Sequence, residues 1–139
     1  MKTVFLFLIF CSSLFGENFL YIIHAKKGMY ADDTLTLIDI DRSVTYFSPP
    51  PERRAGKTTI NRFLLNLVSE KEEINAGFVF FTDTEHRYSD IPIVLSDPQY
   101  DLDTRELSFK VKLVAESDTL YEEMEEVNLF VDNVPGEPQ

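Results

Sequence analysis

Residues 106–113 read ELSFKVKL. Leu107, Phe109, Val111 and Leu113 fall on one side of an extended chain, and Ser108, Lys110 and Lys112 fall on the other. An apolar period of two with a polar counter-face is the pattern of an antiparallel strand that is half buried and half wet. Val127, Leu129 and Val131 alternate in the same manner with Asn128, Phe130 and Asp132. Working outward from these two runs, Phe19–Ala25, Ser43–Phe47, Phe78–Thr82 and Ile91–Leu95 have strand length and β-rich composition. Pro92 lacks a ladder donor, so it belongs at an edge or among a strand's first residues. Lys26-Lys27-Gly28 suits a turn, and Ser96–Thr104 is dense in turn formers. Thr34–Leu37 alternates with Leu35 and Leu37 on one face, after which Ile38 and Ile40 change parity. A bulge or burial on both faces accounts for such a slip.

One segment has helical rather than strand periodicity. Ile60, Phe63, Leu64, Leu67 and Val68 form a single apolar stripe, which predicts a helix from Thr58 or Thr59 to about Glu73. A threonine can cap its first amides, and Asn75-Ala76-Gly77 offers a left-handed end. The stripe needs an apolar partner, and only a sheet offers one. The expected fold is therefore mainly β, with α+β as the alternative. It is a small antiparallel β-sandwich of six to eight strands with one amphipathic helix packed on it.

The first sixteen residues, MKTVFLFLIFCSSLFG, have a different character. Lys2 supplies a positive charge, Val4–Phe10 an apolar run, and Cys11 to Gly16 mostly small residues, which is the build of a secretory signal peptide. The run is shorter than the ~20 apolar residues a spanning helix needs. Cleavage between Ser13 and Glu17 is expected, leaving no stable membrane span and a secreted or periplasmic protein. The remaining chain forms one β-rich domain over residues 17–133, with a frayed tail at 134–139. Cys11 is the only cysteine, so that domain must stand on its apolar core, without disulfides or a cysteine-based zinc site.

Thirteen Lys and Arg residues against 24 Asp and Glu give a formal charge of -11. Such a balance argues against nucleic acid, whose phosphates require clustered cations. Catalytic patterns are missing as well. No serine occupies a G-x-S-x-G elbow, and Gly56-Lys57-Thr58 fails the phosphate-loop pattern because position 51 is proline. No cofactor is implied. Asp97, Asp101 and Asp103 could place oxygens on a calcium ion, or could simply shape a turn. His24 and His86 with loop carboxylates could hold zinc if the fold joined them; otherwise they are an edge-strand and a loop histidine. Glu116–Glu126 contains six acids and no cation. It is a solvated connection between strands or a docking surface for a cationic protein partner.

The least generic stretch is Tyr46-Phe-Ser-Pro-Pro-Pro-Glu-Arg-Arg-Ala-Gly56. Arg53 and Arg54 stand together behind stiffening prolines. They form either an internal clamp on an acid from Asp97–Asp103 or Glu116–Glu126, or a site for an anionic ligand near the helix start. This stretch joins Leu35-Thr36-Leu37, Asn75-Ala76, Ser96-Asp97-Pro98, Phe109-Lys110-Val111 and Leu129-Phe130-Val131-Asp132 in one order along the chain. In that order the chain resembles a family of small exported bacterial proteins of unknown function, marked by Y-F-S-x-x-P-x-R-x-x-G. Pro49 and Pro50 stand where that family's pattern has Asp-Arg. The resemblance implies an exported all-β or α+β domain and transfers no activity. Two functional expectations result. The first is an exported, non-catalytic binding or interaction module. The alternative is a metal-binding protein or metal-dependent hydrolase using His24, His86 and loop carboxylates.

Overall fold

The computed structural model describes residues 18–48, 53–68, 73–83 and 85–135. The expected signal peptide and residues 136–139 of the expected tail lie outside them. Among the described residues eight strands and one helix follow in the order β1 (Asn18–Ala31), β2 (Thr34–Ile40), β3 (Ser43–Phe47), β4 (Ala55–Thr59), α1 (Ile60–Val68), β5 (Ile74–Thr82), β6 (Arg87–Asp101), β7 (Glu106–Leu113) and β8 (Glu123–Pro135). All pairings are antiparallel, in the order β2-β7-β6-β5-β8-β1-β3-β4.

The expected sandwich is incorrect. β1 pairs with β8 along one edge and with β2 along the other, so six strands close on themselves as a barrel. Only the second half of β1 carries β2, from Ala25↔Ile40 to Ala31↔Thr34. Its first half carries β3 instead, through Leu20↔Phe47 to Ile22↔Thr45, and β4 extends the sheet outside the barrel. A two-residue turn joins β1 to β2, with Asp32 and Asp33 at φ 52° and 59°. Both central residues in the left-handed region give the turn whose twist suits a hairpin, a conformation Asp tolerates.

Closure requires strands that bend, and three neighbours bend at one level. Along β1 the buried side chains are Phe19, Tyr21, Ile23 and Ala25, then the parity changes and Gly28 faces inward. β2 changes parity between Leu37 and Ile40, where Asp39 has φ 57°. β8 does the same between Met124 and Val127, where Glu126 has φ 46°. Lys26-Lys27 is thus no turn. It is the point at which the strand bends while staying paired on both sides, through Lys27↔Ile38 and Lys27↔Glu125. Lys26 and Arg105 both pair with Asp39, the former at 3.3 Å. Another irregularity lies in β6 between Ser96 and Gln99, with Asp97 at φ 52°. The expected turn region 96–104 is therefore a bulged strand to Asp101, then a short hairpin turn. Bulges of this kind sharpen local twist, which a narrow barrel needs.

The interior is filled from every barrel strand, with Leu35, Phe78, Phe80, Ile93, Phe109 and Leu129 among the fully buried side chains. Pro92 lies opposite Gly77 of β5, while the β6–β7 pairing begins one residue later at Ile93. The missing donor therefore falls beyond the β7 ladder. Gly56-Lys57-Thr58 belongs to β4 and not to a helix start. The described helix begins at Ile60, and Glu73 lies outside it, one residue before Ile74 opens β5. Asn75-Ala76-Gly77 consequently lies inside a strand and caps nothing. At the other end Thr59 accepts the Arg62 amide at 3.2 Å, as a capping threonine does. Ile60, Phe63 and Leu67 are buried, and the Phe63 ring lies 4.9 Å from that of Tyr21, an inward-facing residue of β1. The helix thus covers the barrel end where β1 parts from β2.

Candidate functional site

The end of the barrel away from the helix is built by three connections: the β1–β2 turn, the β5–β6 turn and the 114–122 segment before β8. Leu120 is buried and anchors that segment. The next residue, Tyr121, sets its ring 6.0 Å from Phe80 at the top of the core. Its hydroxyl donates to Glu85 Oε1 at 2.8 Å, and Arg87 Nε donates to Glu85 Oε2 at 2.9 Å. One carboxylate therefore ties the β5–β6 turn to the acidic segment. The tight turn itself is closed by the His86 amide on the Thr82 carbonyl at 3.0 Å, with His86 at φ 53°.

A second tyrosine–carboxylate pair stands beside the first. The β5–β8 register shifts between Val79 and Phe81, at the level of the Glu126 bend. Bulges re-aim side chains, and here the Glu126 carboxylate accepts the Tyr88 hydroxyl across β5. Tyr88 also packs on Phe81 at 5.3 Å between ring centroids and is 57% exposed. These contacts leave a consistent electrostatic record. The Tyr121 hydroxyl, and then Arg87, hold the Glu85 carboxyl below the usual range. Bonding to Glu85 raises Tyr121, and bonding to Glu126 raises Tyr88.

At the same end lies a recess of about 510 Å³ lined by Phe81, Thr82, Asp83, Tyr121, Glu122, Glu123 and Glu125. Among the described residues the one cation paired with an acid at this end is Arg87, whose partner Glu85 stands outside that lining. The Glu116–Glu126 acids were legible as a charge run. Asp83 and Glu85 were not attached to them by any sequence spacing; the β5–β8 pairing brings them there. Nor was β8's start at Glu123, which puts half of the run on a strand rather than in a loop.

The other candidate residues lie elsewhere. Arg53, at φ 46°, is exposed, and Arg54 approaches Phe19 with its guanidinium 5.8 Å from the ring centroid. The Arg54 amide donates to Ser48 Oγ at 2.7 Å, and its carbonyl accepts the Ser48 amide at 2.8 Å. This fastens the loop ahead of β4 locally. The Glu116–Glu126 segment is distant, since β8 begins opposite Met29 while Phe19 pairs with Val134. Ten strand residues separate those levels, roughly 33 Å. The arginine clamp that spans the chain is Arg105, which sequence reading missed. It reaches Asp39 and the Ile40 carbonyl from the β6–β7 turn.

Asp101 Oδ1 accepts the amides of Asp103 and Thr104 at 2.9 and 3.2 Å, and Asp97 accepts Gln99 Nε2 at 3.3 Å. Both carboxylates shape the chain locally. His24 Nδ1 lies 3.1 Å from Asn128 Oδ1 in mid-barrel, whereas His86 is at the acidic end. Among the described residues no group of three or more His, Cys, Asp or Glu is placed to hold a metal ion, and no helix is long and apolar enough to cross a membrane. Comparison with family models, with curated proteins and with solved structures gives no match to this chain.

Proposed function

We propose that the chain is an exported, non-catalytic binding module whose acidic end docks a cationic partner. The observation that carries this reading is the convergence of carboxylates from separate elements on one end of the barrel. Asp83 and Glu85 come from the β5–β6 turn, Glu116, Asp118 and Glu122 from the segment before β8, and Glu123, Glu125 and Glu126 from β8 itself. Opposite charge on a partner would be steered to such a face and held by it. Tyr88 and Tyr121 add aromatic surface of the kind enriched at interfaces. Export is supported by residues 1–16, whose composition is that of a signal peptide.

The test is association with a lysine-rich peptide, measured against salt. Binding that falls steeply with ionic strength and weakens at least tenfold when Glu122, Glu123 and Glu125 become glutamine supports docking at this end. Binding that is absent at low salt, or indifferent to these substitutions, overturns it. N-terminal sequencing of the protein from the envelope or medium tests export; a retained Met1 overturns that part.

A further inference from the structure

β6 outruns the strand beside it. Arg87 to Leu95 pair with β5 without a register shift, but β7 ends at Leu113, opposite Ile93. Among the described residues the stretch 87–92 therefore has a paired strand on one edge only. The Val111 amide donates to the Asp33 carbonyl at 2.8 Å, toward β2, so the backbone of the next residue, Lys112, faces β6 opposite Val94. Backbone groups alternate sides along an antiparallel strand. The N–H and C=O of Tyr88 and Asp90 thus share the Val94 side, past the end of β7, and have no backbone partner among the described residues. Pro92, next in that series, presents a carbonyl and no donor. An open row of this kind is a template for another strand. It lines a groove of about 340 Å³ together with Ser117, Asp118, Thr119 and Tyr121 from the segment before β8.

We infer that this edge takes up an extended segment of a partner protein as an added strand, with a lysine of that segment set opposite Asp90. The inference rests on the reading of the acidic end as a docking surface and states how the partner is held. The open edge carries it, because main-chain hydrogen bonds hold an extended chain whatever its sequence. Charge then selects the occupant. Asp90 is exposed and Asp118 half-buried in the groove, and neither is paired to a cation among the described residues. An opposite charge directly across from Asp90 stabilises the added strand. A second copy of this chain fits poorly. Antiparallel pairing of two such edges about Ser89 would bring two acidic ends together and set like charges against one another.

Calorimetric titration of the full chain with a short capped peptide of alternating lysine and valine tests the edge. Two further forms of that peptide are N-methylated at every lysine or at every valine. All carry equal charge, and each methylated form lacks the donors along one of its edges. The expected result is saturable binding of the unmodified peptide, retained in one methylated form and weakened about tenfold or more in the other. Asp90→Pro removes an edge donor while sparing the β5 ladder. It should weaken binding about tenfold, against about threefold for Asp90→Asn, which removes the charge alone. Unaltered thermal unfolding of Asp90→Pro shows that any loss is local, and if that variant does not fold the methylated peptides decide. Equal affinity of the two methylated forms, retained or lost, overturns strand addition while docking by charge stands. Absence of binding by the unmodified peptide at low salt overturns both. A dimer of the chain in sedimentation that Asp90→Pro dissociates overturns the partner assignment in favour of a second copy.

Discussion

Both ends of the barrel are rich in aromatic residues and use them in opposite ways. At the helix end, Phe19, Tyr21 and Phe63 are fully buried. Tyr46 meets Phe19 edge-on at 5.7 Å, and Tyr21 meets Phe63 at 4.9 Å. At the acidic end, Tyr88 and Tyr121 lie on the surface and are fixed by hydroxyls bonded to carboxylates. Burial of a large ring removes apolar area from water and makes many dispersion contacts. A surface hydrogen bond exchanges with water and contributes little net stability. The helix end therefore holds the barrel together. The acidic end can carry charges that repel one another, because the fold does not depend on them. A site is most readily accommodated where local interactions are least needed for folding.

The strongest way to break this contrast is Phe63→Ala. Removing a fully buried ring at the helix–barrel contact should cost roughly 3–5 kcal/mol in denaturant unfolding. A loss below ~1 kcal/mol would mean that the helix does not close the barrel. Gly56→Ala probes the same end more gently. A Cβ at Gly56 would lie 2.6 Å from Tyr46 Oη and 2.8 Å from Cζ, so the ring must leave its place against Phe19. The expected cost is about 1–3 kcal/mol, as for overpacking generally. In a Tyr46→Ala background the same substitution should cost nothing, since the obstructing ring is gone. Additive losses in that double-mutant cycle would show that Tyr46 does not shield Gly56.

How far these ends could be foreseen follows from what each depends on. β7 matched the reading from Glu106 to Leu113, because alternation is local and one face meets water. The helical stripe was equally legible through Ile60, Phe63 and Leu67. Barrel closure was not, because inward alternation is identical in a sandwich and a barrel. The choice is made by β1 pairing with both β2 and β8, whose partner residues lie more than 90 positions apart in sequence for the latter. Lys26-Lys27 looked like a turn because two cations interrupt an apolar run. In the fold they sit on the outside of a bend, with Lys26 drawn to Asp39. The charge of Glu116–Glu126 could be read directly. The recess could not, because Phe81 and Thr82 reach it through the β5–β8 register, and their apolar run reads simply as core.

The smallest expected effect comes from the acidic end and is read as a titration. Tyr88 holds its proton above the ordinary tyrosine range, first through its bond to Glu126, then through desolvation and the nearby charge. Glu85 is shifted the other way, chiefly by the Tyr121 hydroxyl and then by Arg87. A raised tyrosine contributes stability that is full below its unfolded value and disappears as pH rises through the folded one. A lowered glutamate contributes stability that is full above its unfolded value and disappears as pH falls through the folded one. Both contributions are therefore present across neutral pH, one failing in acid and the other in alkali. Glu126→Gln should move the Tyr88 midpoint down toward the ordinary range, seen as earlier tyrosinate absorbance and assigned by subtracting the Tyr88→Phe titration. Glu85→Gln should do the same for Tyr121 and leave Tyr88 where it is. The unfolding midpoint at neutral pH should hardly change in either variant, since both pairs are exposed. If Glu126→Gln left the absorbance curve unmoved, the bend in β8 would not be aiming that carboxylate at Tyr88. If instead it unfolded the protein at neutral pH, the acidic end would be as structural as the helix end.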